Sequence, residues 1–369
     1  MHGYDCVVVG LGIMGGAVAH QLAVRGRRVL AVDRFDIPHG FGSSHGESRI
    51  IREAYFEDPC YVPLVQRAYT LWSELEQGAG ASLYLRTGGV MLGRPDSDLV
   101  AGGLHSARTH GLQHEVLDAA AVRARFPALR PDADMIGVFE PRAGVLRAEA
   151  CLDAMLAAAR HAGAELRLRS TVQHLSLDGE NPQLQIDGQT VRCRRVVLCA
   201  GAWASGLLPS LAGRLGVERQ VLHWFAPASP REARGGPVHL WQAVDGGYPY
   251  GFPDLGAGIK LARHHGGLAC SADTVDRTVH QAEIDAMHQW AARYLPDAVG
   301  AYLRSTVCLY TNTADGHFLL APAPEHPGVW VVSACSGHGF KFAPVIGELM
   351  AQWVCDQPLS FDLARFGWR

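Results

Sequence analysis

Closely spaced basic side chains are the residues of this sequence best suited to chemistry. Arg49 and Arg52 lie three residues apart beside a glycine turn and two isoleucines, a setting that is not typical of a solvated basic helix face. Lys260 and His264 lie four residues apart in KLARH, which places both on one side of either a helix or a strand. His265 follows, but neither H-E-x-x-H nor a carboxylate triad accompanies the two histidines, so we predict no metal site.

A glycine motif near the amino terminus predicts a dinucleotide site. Gly10, Gly12 and Gly15 form G-x-G-x-x-G between an apolar run at 6–9 and a helical stretch. The first glycine permits a tight turn, the second lets backbone amides approach a pyrophosphate, and the third allows close helix packing. Asp33 ends the next apolar run, where a carboxylate can accept hydrogen bonds from ribose hydroxyls.

The motif alone does not decide between NAD and FAD, since both bind to it. An NAD dehydrogenase usually continues with further strand and helix units after the second strand. Here the polar, glycine-rich segment FGSSHGESRIIR follows at 41–52 instead. This order favours FAD.

The composition indicates a globular protein whose partners are small molecules. At about 150 residues per domain, 369 residues predict two domains. Lys and Arg number 33 against 36 Asp and Glu, a balance that argues against nucleic acid or an anionic membrane surface as the main partner. No apolar run approaches the roughly 20 residues of a membrane span, and no basic segment precedes an apolar stretch at the amino terminus. We therefore expect a cytoplasmic protein.

Nine cysteines are scattered along the chain, an odd number without a C-x-x-C pair. This pattern fits neither a zinc site nor the disulfide framework of a small secreted protein. We predict that most of them are buried free thiols.

The order of apolar runs predicts an α/β fold of mixed α+β character, with an FAD-binding Rossmann-like domain and a substrate domain built on a mainly antiparallel sheet. Strand, helix and strand occupy 5–33, and further helices are predicted at 63–75, at 148–162 and from about 344. Buried strands are predicted at 196–201 and 329–332. The predicted FAD-binding domain is discontinuous and comprises 1–80, 148–209 and 315–369, and the substrate domain comprises 81–147 and 210–314.

Eight motifs in the same order carry a resemblance to a known family. They are GLGIMG at 10–15, SSHGESRIIREAY at 43–55, YVPL at 61–64, LCAGAWA at 198–204, YGFP at 250–253, IKLARHHGG at 259–267, CLYTNTADGHF at 308–318 and SGHGFKF at 336–342. With these motifs the chain resembles the monomeric sarcosine oxidase and N-methyltryptophan oxidase family, FAD enzymes of the glycine/D-amino-acid oxidase superfamily. The resemblance covers nearly the whole chain.

The resemblance implies roles for individual residues. It implies that FAD is attached covalently through the sulfur of Cys308, and that His45 and Arg49 place positive charge at the flavin ring. It implies that Arg52 and Lys341 bind a substrate carboxylate. The other catalytic and substrate-binding residues that it implies are Lys260, His264, Tyr310 and Tyr250. The other cofactor contacts are Gly10, Gly12, Ile13, Met14, Gly15, Asp33, Ser43, Ser44, Val172, Gly201, Trp203, Gly337 and Gly339.

The family resemblance also implies an activity. N-methyl amino acids would be oxidised by O2 to the primary amino acid, formaldehyde and hydrogen peroxide, by a protein that is a monomer. Two alternatives remain open at this point: an oxidase of a cyclic or primary amino acid, such as pipecolate or a D-amino acid, and a flavin-binding protein without turnover. Ser44 and Glu53 stand where relatives commonly carry His, and Ala334 and Cys335 stand where a larger apolar pair is expected, differences that bear on the shape of the pocket.

Overall fold

A computed structural model describes residues 3–228 and 236–369 of the chain. Residues 1–2 and 229–235, which belong to the predicted domain ranges 1–80 and 210–314, lie outside the described residues. The division of the chain into two domains stays a prediction.

Helices and strands alternate in the first half of the chain, and strands dominate the second. The helices are α1 (Ile13–Val24), α2 (Tyr61–Ala79), α3 (Asp98–Thr109), α4 (Ala119–Arg125), α5 (Ala148–His161), α6 (Gln281–Tyr294) and α7 (Ala343–Val354). The strands are β1 (Tyr4–Val9), β2 (Val29–Val32), β3 (Ser48–Ile51), β4 (Tyr84–Arg86), β5 (Gly89–Gly93), β6 (Glu115–Asp118), β7 (Ile136–Glu140), β8 (Gly144–Arg147), β9 (Glu165–Arg167), β10 (Val172–Ser176), β11 (Gln183–Ile186), β12 (Gln189–Leu198), β13 (Gly216–Pro227), β14 (Val238–Trp241), β15 (Tyr248–Phe252), β16 (Ile259–His264), β17 (Val299–Asn312), β18 (Leu319–Ala323) and β19 (His326–Ser333). Short 3₁₀ helices span Gly201–Gly206, Pro209–Leu211, Phe340–Phe342 and Ala364–Phe366.

A parallel sheet forms the centre of the nucleotide-binding part. β1 pairs with β2 on one side and with β12 on the other, β9 follows β2, and β19 pairs with β12, all in parallel. The apolar residues of β1 and β2 are buried, as expected for strands covered on both faces. The predicted strand, helix and strand at 5–33 is confirmed.

Two elements differ in length from their prediction. β12 begins at Gln189 rather than at 196, because its first residues pair with β11 in an antiparallel hairpin. α2 begins two residues before the predicted 63–75 and ends at Gly80, whose φ of 61° is the left-handed conformation that terminates helices. The spacing of apolar residues predicted both elements. It did not predict their ends, because these depend on strand pairing and helix capping.

A second sheet of eight strands has the order β17-β13-β16-β15-β14-β5-β7-β6. Its pairs are antiparallel except for β14 with β5, which confirms the predicted mainly antiparallel sheet. A small third sheet has the order β3-β8-β4 and holds the segment that carries Arg49. No helix in residues 3–228 or 236–369 is long and apolar enough to cross a membrane.

Helix α1 packs against α5 and α7 on the parallel sheet, and one glycine permits the closest approach. A Cβ on Gly347 in α7 would lie 2.6 Å from the backbone oxygen of Ala17 in α1 and 2.9 Å from its Cβ. The two helix backbones therefore touch at this point.

We expect Gly347→Ala to lower the free energy of unfolding by about 1–3 kcal/mol, because α1 and α7 must separate to admit the methyl group. Chemical denaturation of the purified holoprotein measures the change. Gly78→Ala is the matched control, since Gly78 is exposed in α2 with nothing within 4 Å of the added carbon, and there the same substitution raises helix propensity. Equal effects of the two substitutions would contradict the close packing.

Candidate active site

A cavity of about 440 Å³ opens where the parallel strands end. Residues at the carboxyl ends of β1, β2, β12 and β19 line it, which is where open α/β sheets bind their ligands. Most residues that the sequence assigned to a site line this cavity: Gly10, Gly12, Ile13, Met14, Asp33, Ser43, Ser44, Arg49, Arg52, Val172, Gly201, Trp203, Tyr250, His264, Cys308, Tyr310, Gly337, Gly339 and Lys341. His45, Gly15 and Lys260 are not among the lining residues.

The glycine loop forms a cradle at the amino terminus of α1. Gly10 has a φ of 93°, and a Cβ there would lie 2.5 Å from the carbonyl oxygen of Cys199. A Cβ on Gly12 would lie 3.1 Å from Ser44 Oγ, and one on Gly15 would overlap the carbonyl of Gly10. Gly10 and Gly15 therefore serve the turn and its close packing, whereas Gly12 keeps the helix terminus open to a pyrophosphate.

Asp33 lies beside this cradle and fixes its shape. Its carboxylate accepts hydrogen bonds from the backbone N–H of Leu11 at 2.7 Å and of Phe35 at 2.9 Å. The same carboxylate lines the cavity, so lone pairs remain for ribose hydroxyls.

The cavity fits FAD on two observations besides the cradle. Thr311 is one of the lining residues, and its Oγ1 is buried without a hydrogen-bond partner, an unsatisfied polar group next to the cavity. Cys308 is 2% exposed and also lines the cavity, with its Sγ 3.8 Å from the carbonyl oxygen of Gly42. Sequence reasoning missed Thr311, although it lies in the same C-L-Y-T motif as Cys308.

Arg49 and Arg52 are the charged residues of the HGESRIIR segment that line the cavity, and Arg49 is held by backbone groups. Its guanidinium donates to the carbonyl oxygens of Ser43, His45 and Ser48 at 2.6–2.8 Å. No carboxylate pairs with it in the described part of the chain, so its charge is available to an anion in the cavity.

His45 is not among the residues that line the cavity. The predicted positive charge at the flavin ring included this histidine, but it is buried behind the cavity wall with Nε2 unpartnered. Burial and the charge of Arg49 lower the pKa of His45 to about 4, so its ring is neutral at pH 7. The role of His45 at the flavin ring stays a prediction.

Arg52 and Lys341, the predicted carboxylate ligands, line the cavity together. Arg52 is 5% exposed, and its Nη2 pairs with the carboxylate of Glu57 at 2.8 Å. Lys341 is 6% exposed, and its Nζ donates to the hydroxyl of Tyr55 at 3.0 Å and to the carbonyl oxygen of His338 at 2.8 Å. Sequence reasoning missed Glu57. Burial alone would raise the pKa of Glu57, but the charge of the neighbouring Arg52 holds this pKa below its ordinary value.

His264 and Tyr310 lie together on the cavity wall near Tyr250. His264 Nδ1 is 3.3 Å from the hydroxyl of Tyr310, and burial holds the pKa of His264 well below its ordinary value. Burial likewise raises the pKa of both tyrosines, so all three side chains are neutral at pH 7. They give the cavity hydrogen-bonding groups without adding charge.

Lys260 lies at the other end of β16 from His264, on the same face of the strand, as predicted for this spacing. Its Nζ donates to the carbonyl oxygen of Gly46 at 2.6 Å and to the carbonyl oxygen and Oγ of Ser48 at 2.9 and 3.1 Å. Burial and the charge of Arg49 hold the pKa of Lys260 well below its ordinary value. Lys260 therefore lies behind the segment that carries Arg49 rather than on the cavity surface.

Glu140 holds the backbone of the two residues that follow Arg52 and was also missed. Its two carboxylate oxygens accept hydrogen bonds from the N–H groups of Glu53 at 2.7 Å and Ala54 at 2.8 Å. The carbonyl oxygen of Ala54 in turn accepts from Arg52 Nη1 at 2.5 Å. Glu53, which stands where relatives commonly carry His, pairs with Arg142 at 2.8 Å and lies outside the cavity lining.

Metal binding has no support in the described ranges, where no three His, Cys, Asp or Glu side chains come together. The ring of His265 pairs instead with Glu218 at 3.2 Å. The adjacent histidines therefore serve separate contacts.

A glycine cradle at the ends of parallel strands and a cavity walled by cations define a nucleotide-dependent oxidoreductase. The model of the family described as FAD dependent oxidoreductase matches residues 5–353, and the chain belongs to this family. It is 43% identical over 355 residues to the monomeric sarcosine oxidase of Streptomyces avermitilis, across 94% of this chain and 92% of that protein. It is 33% identical over 365 residues to the N-methyl-L-tryptophan oxidase of Salmonella heidelberg, across 98% of both chains.

Solved structures share the fold. The open form of NikD, an unusual amino acid oxidase essential for nikkomycin biosynthesis, superposes with a TM-score of 0.87 over 100% of this chain and 98% of that one, at 24% identity. Glycine oxidase from Geobacillus kaustophilus gives a TM-score of 0.82, also at 24% identity, over 100% and 99%.

We expect Glu140→Gln to lower the free energy of unfolding by about 1–3 kcal/mol, because glutamine has one acceptor oxygen and leaves a buried N–H of Glu53 or Ala54 unpaired. Urea denaturation measures the loss. Glu115→Gln is the control, since Glu115 is exposed and its ion pair with Arg125 is worth little. Unchanged stability in the Glu140 variant would mean that the backbone around Arg52 is not held by this carboxylate.

Proposed function

We propose that this protein is a flavin-dependent oxidase that demethylates N-methyl amino acids. One N-methyl amino acid, one O2 and one water give the primary amino acid, formaldehyde and hydrogen peroxide. The observation that carries the proposal is that Arg52 and Lys341 face one cavity with the glycine cradle and Cys308. Relatives named monomeric sarcosine oxidase and N-methyl-L-tryptophan oxidase support it. The name of the first relative also supports a monomer.

Each group of residues has a task in this reaction. FAD, when bound, supplies the acceptor for two electrons from the substrate and returns them to O2. Arg52 and Lys341 bind and orient the carboxylate, so that the N-methyl group is presented to the cofactor. Arg49 supplies positive charge to stabilise a reduced, anionic cofactor. Three neutral side chains also line the cavity, those of His264, Tyr310 and Tyr250. Because they carry no negative charge, they do not stabilise the protonated form of the substrate amine.

A screen of candidate substrates under anaerobic conditions tests the proposed function. Sarcosine, N-methyltryptophan, other N-methyl amino acids, pipecolate and D-amino acids are mixed in turn with the holoenzyme, and bleaching of the flavin is followed. We expect bleaching by N-methyl amino acids, with formaldehyde formed in equal amount. Bleaching by pipecolate or D-amino acids alone, without formaldehyde, would replace the proposal with the corresponding oxidase, and no bleaching at all would leave a flavin-binding protein.

We further propose that FAD is attached covalently through Cys308. Cys308 on β17 is buried and lines the cavity together with Arg49, so its Sγ would hold the cofactor beside a positive charge. The attachment would fix the cofactor on β17 as well as in the glycine cradle.

Acid-precipitated protein is expected to stay yellow and to fluoresce as a band on a denaturing gel, because a thioether survives denaturation. Cys308→Ser is expected to release its flavin into the supernatant. Cys335→Ser, which changes another thiol lining the cavity, is the control and is expected to keep the fluorescent band. Release of all colour from the unsubstituted protein would rule out the covalent bond.

Lys260 is proposed to act in the reaction with O2. A buried ammonium stabilises the negative charge that develops when O2 accepts an electron, most strongly where water is scarce. Its Nζ donates to the carbonyl oxygens of Gly46 and Ser48, and the segment that carries Arg49 separates it from the cavity.

Lys260→Met keeps most of the stem and removes the charge, so we expect reoxidation by O2 to slow by orders of magnitude while anaerobic reduction by substrate falls far less. Stopped-flow measurement of the two half-reactions separates these effects. Arg263→Met is the control, because Arg263 lies on the same strand but is exposed and paired with Asp245. A defect mainly in reduction would instead assign Lys260 to amine binding.

A further inference from the structure

Lys341 has two hydrogen-bond partners, and both are neutral. Its Nζ donates to the hydroxyl of Tyr55 and to the backbone oxygen of His338. An ammonium has three donors, whereas a neutral amine has two donors and a lone pair. Because Lys341 also lines the cavity, the third tetrahedral position of Nζ is available to a ligand.

The hydrogen bonds beyond Lys341 have a fixed direction. His338 Nε2 lies 3.0 Å from the carbonyl oxygen of Gly316, and since a carbonyl only accepts, this nitrogen carries the ring proton. His338 Nδ1 therefore accepts from the hydroxyl of Tyr55, 2.9 Å away. The oxygen of Tyr55 is thus left to accept from Lys341, an arrangement that a neutral amine satisfies fully.

The groups around Lys341 do not supply enough negative charge to neutralise both Arg52 and a protonated Lys341. The charged and titratable groups that face it are Tyr55, His338, Arg52, Glu57 and His264. Burial keeps Tyr55, His338 and His264 neutral at pH 7. The carboxylate of Glu57 is bound to Arg52, and no carboxylate pairs with Lys341 in the described part of the chain. Burial and the charge of Arg52 accordingly lower the pKa of Lys341 to about 7.

A secondary amino acid arrives in the opposite state. The pKa of its nitrogen is near that of lysine in water, roughly 10, so it enters as an ammonium with a carboxylate attached. It must lose one proton before its C–N bond can be oxidised. The carboxylate of the substrate, in turn, is bound best by a lysine that has gained a proton.

We propose that Lys341 is a neutral amine in the ligand-free enzyme above neutral pH and accepts the proton of the substrate ammonium. The N–H bond of the substrate breaks, its electron pair stays on the substrate nitrogen, and the lone pair of Nζ forms the new N–H bond. The resulting ammonium of Lys341 then binds the substrate carboxylate together with Arg52. This inference rests on the proposed function and assigns to one side chain both deprotonation of the amine and binding of the acid.

The proposal predicts proton uptake on binding of an acid that has no basic nitrogen. Methylthioacetate carries a carboxylate and a thioether, so it cannot supply the proton that Lys341 needs. We expect the holoenzyme at pH 8 to take up about one proton per bound methylthioacetate, measured with an indicator dye in weak buffer. The dissociation constant of methylthioacetate is followed by the flavin absorption spectrum. At pH values above the pKa of Lys341, we expect this constant to rise tenfold per pH unit.

Lys341→Arg is the decisive variant, because arginine keeps its charge at every pH used. We expect it to bind methylthioacetate without proton uptake and with a dissociation constant that is constant from pH 7 to 9. If this variant does not fold, Lys341→Met is expected to show weaker binding at pH 6, again without uptake. Uptake retained in either variant would assign the proton to another group, and no uptake by the unsubstituted enzyme would show that Lys341 is already charged.

The outcome is separable from that of the proposed function. Proton uptake is measured without turnover, whereas demethylation is judged by flavin bleaching and formaldehyde. An enzyme that demethylates but takes up no proton would overturn only the role of Lys341. Failure to bind methylthioacetate at pH 6, where Lys341 is protonated, would overturn this proposal and the carboxylate site together.

Discussion

The burial of positive charge is the constraint around which the active site is built. A buried cation is costly unless it is hydrogen-bonded or paired, and the wall of the cavity holds or adjoins Arg49, Arg52, Lys260 and Lys341. The backbone between residues 43 and 54 meets this demand by turning its carbonyl groups toward Arg49, Arg52 and Lys260. Its amides point the other way, toward the carboxylates of Glu149 and Glu140. One stretch of chain is thus held between cations on one side and carboxylates on the other.

Features encoded over a short stretch of sequence were predictable. The glycine cradle needs Gly10, Gly12 and the following helix, all within one local pattern, and the structure has them as expected. The basic residues were also found, because each lies in a distinctive motif. Glu140 was not, since it binds backbone groups 86 and 87 residues away along the chain. The low pKa of His45 was likewise not predictable, because burial depends on elements that its motif does not contain.

The second sheet shows the same limit at the level of the fold. An alternation of apolar residues predicts strands, but the order of the strands depends on pairings between distant segments. β14 and β5 pair in parallel, with Val238 opposite Gly89, where a Cβ would lie 3.2 Å from Val238 Cγ2. No local sequence pattern predicts that contact. It nevertheless joins the two halves of the sheet that forms one side of the cavity.

Burial of the thiols has a consequence for the lifetime of the protein. No disulfide joins any two of the nine cysteines, and those in the cores include Cys6 and Cys193, whose pKa burial raises to about 12. Peroxide attacks the thiolate rather than the thiol, and at such a pKa only about one side chain in 10⁵ is ionised at pH 7. A protein that releases hydrogen peroxide from its own centre would otherwise be the first target of its product. Burial of these thiols therefore also protects them from oxidation.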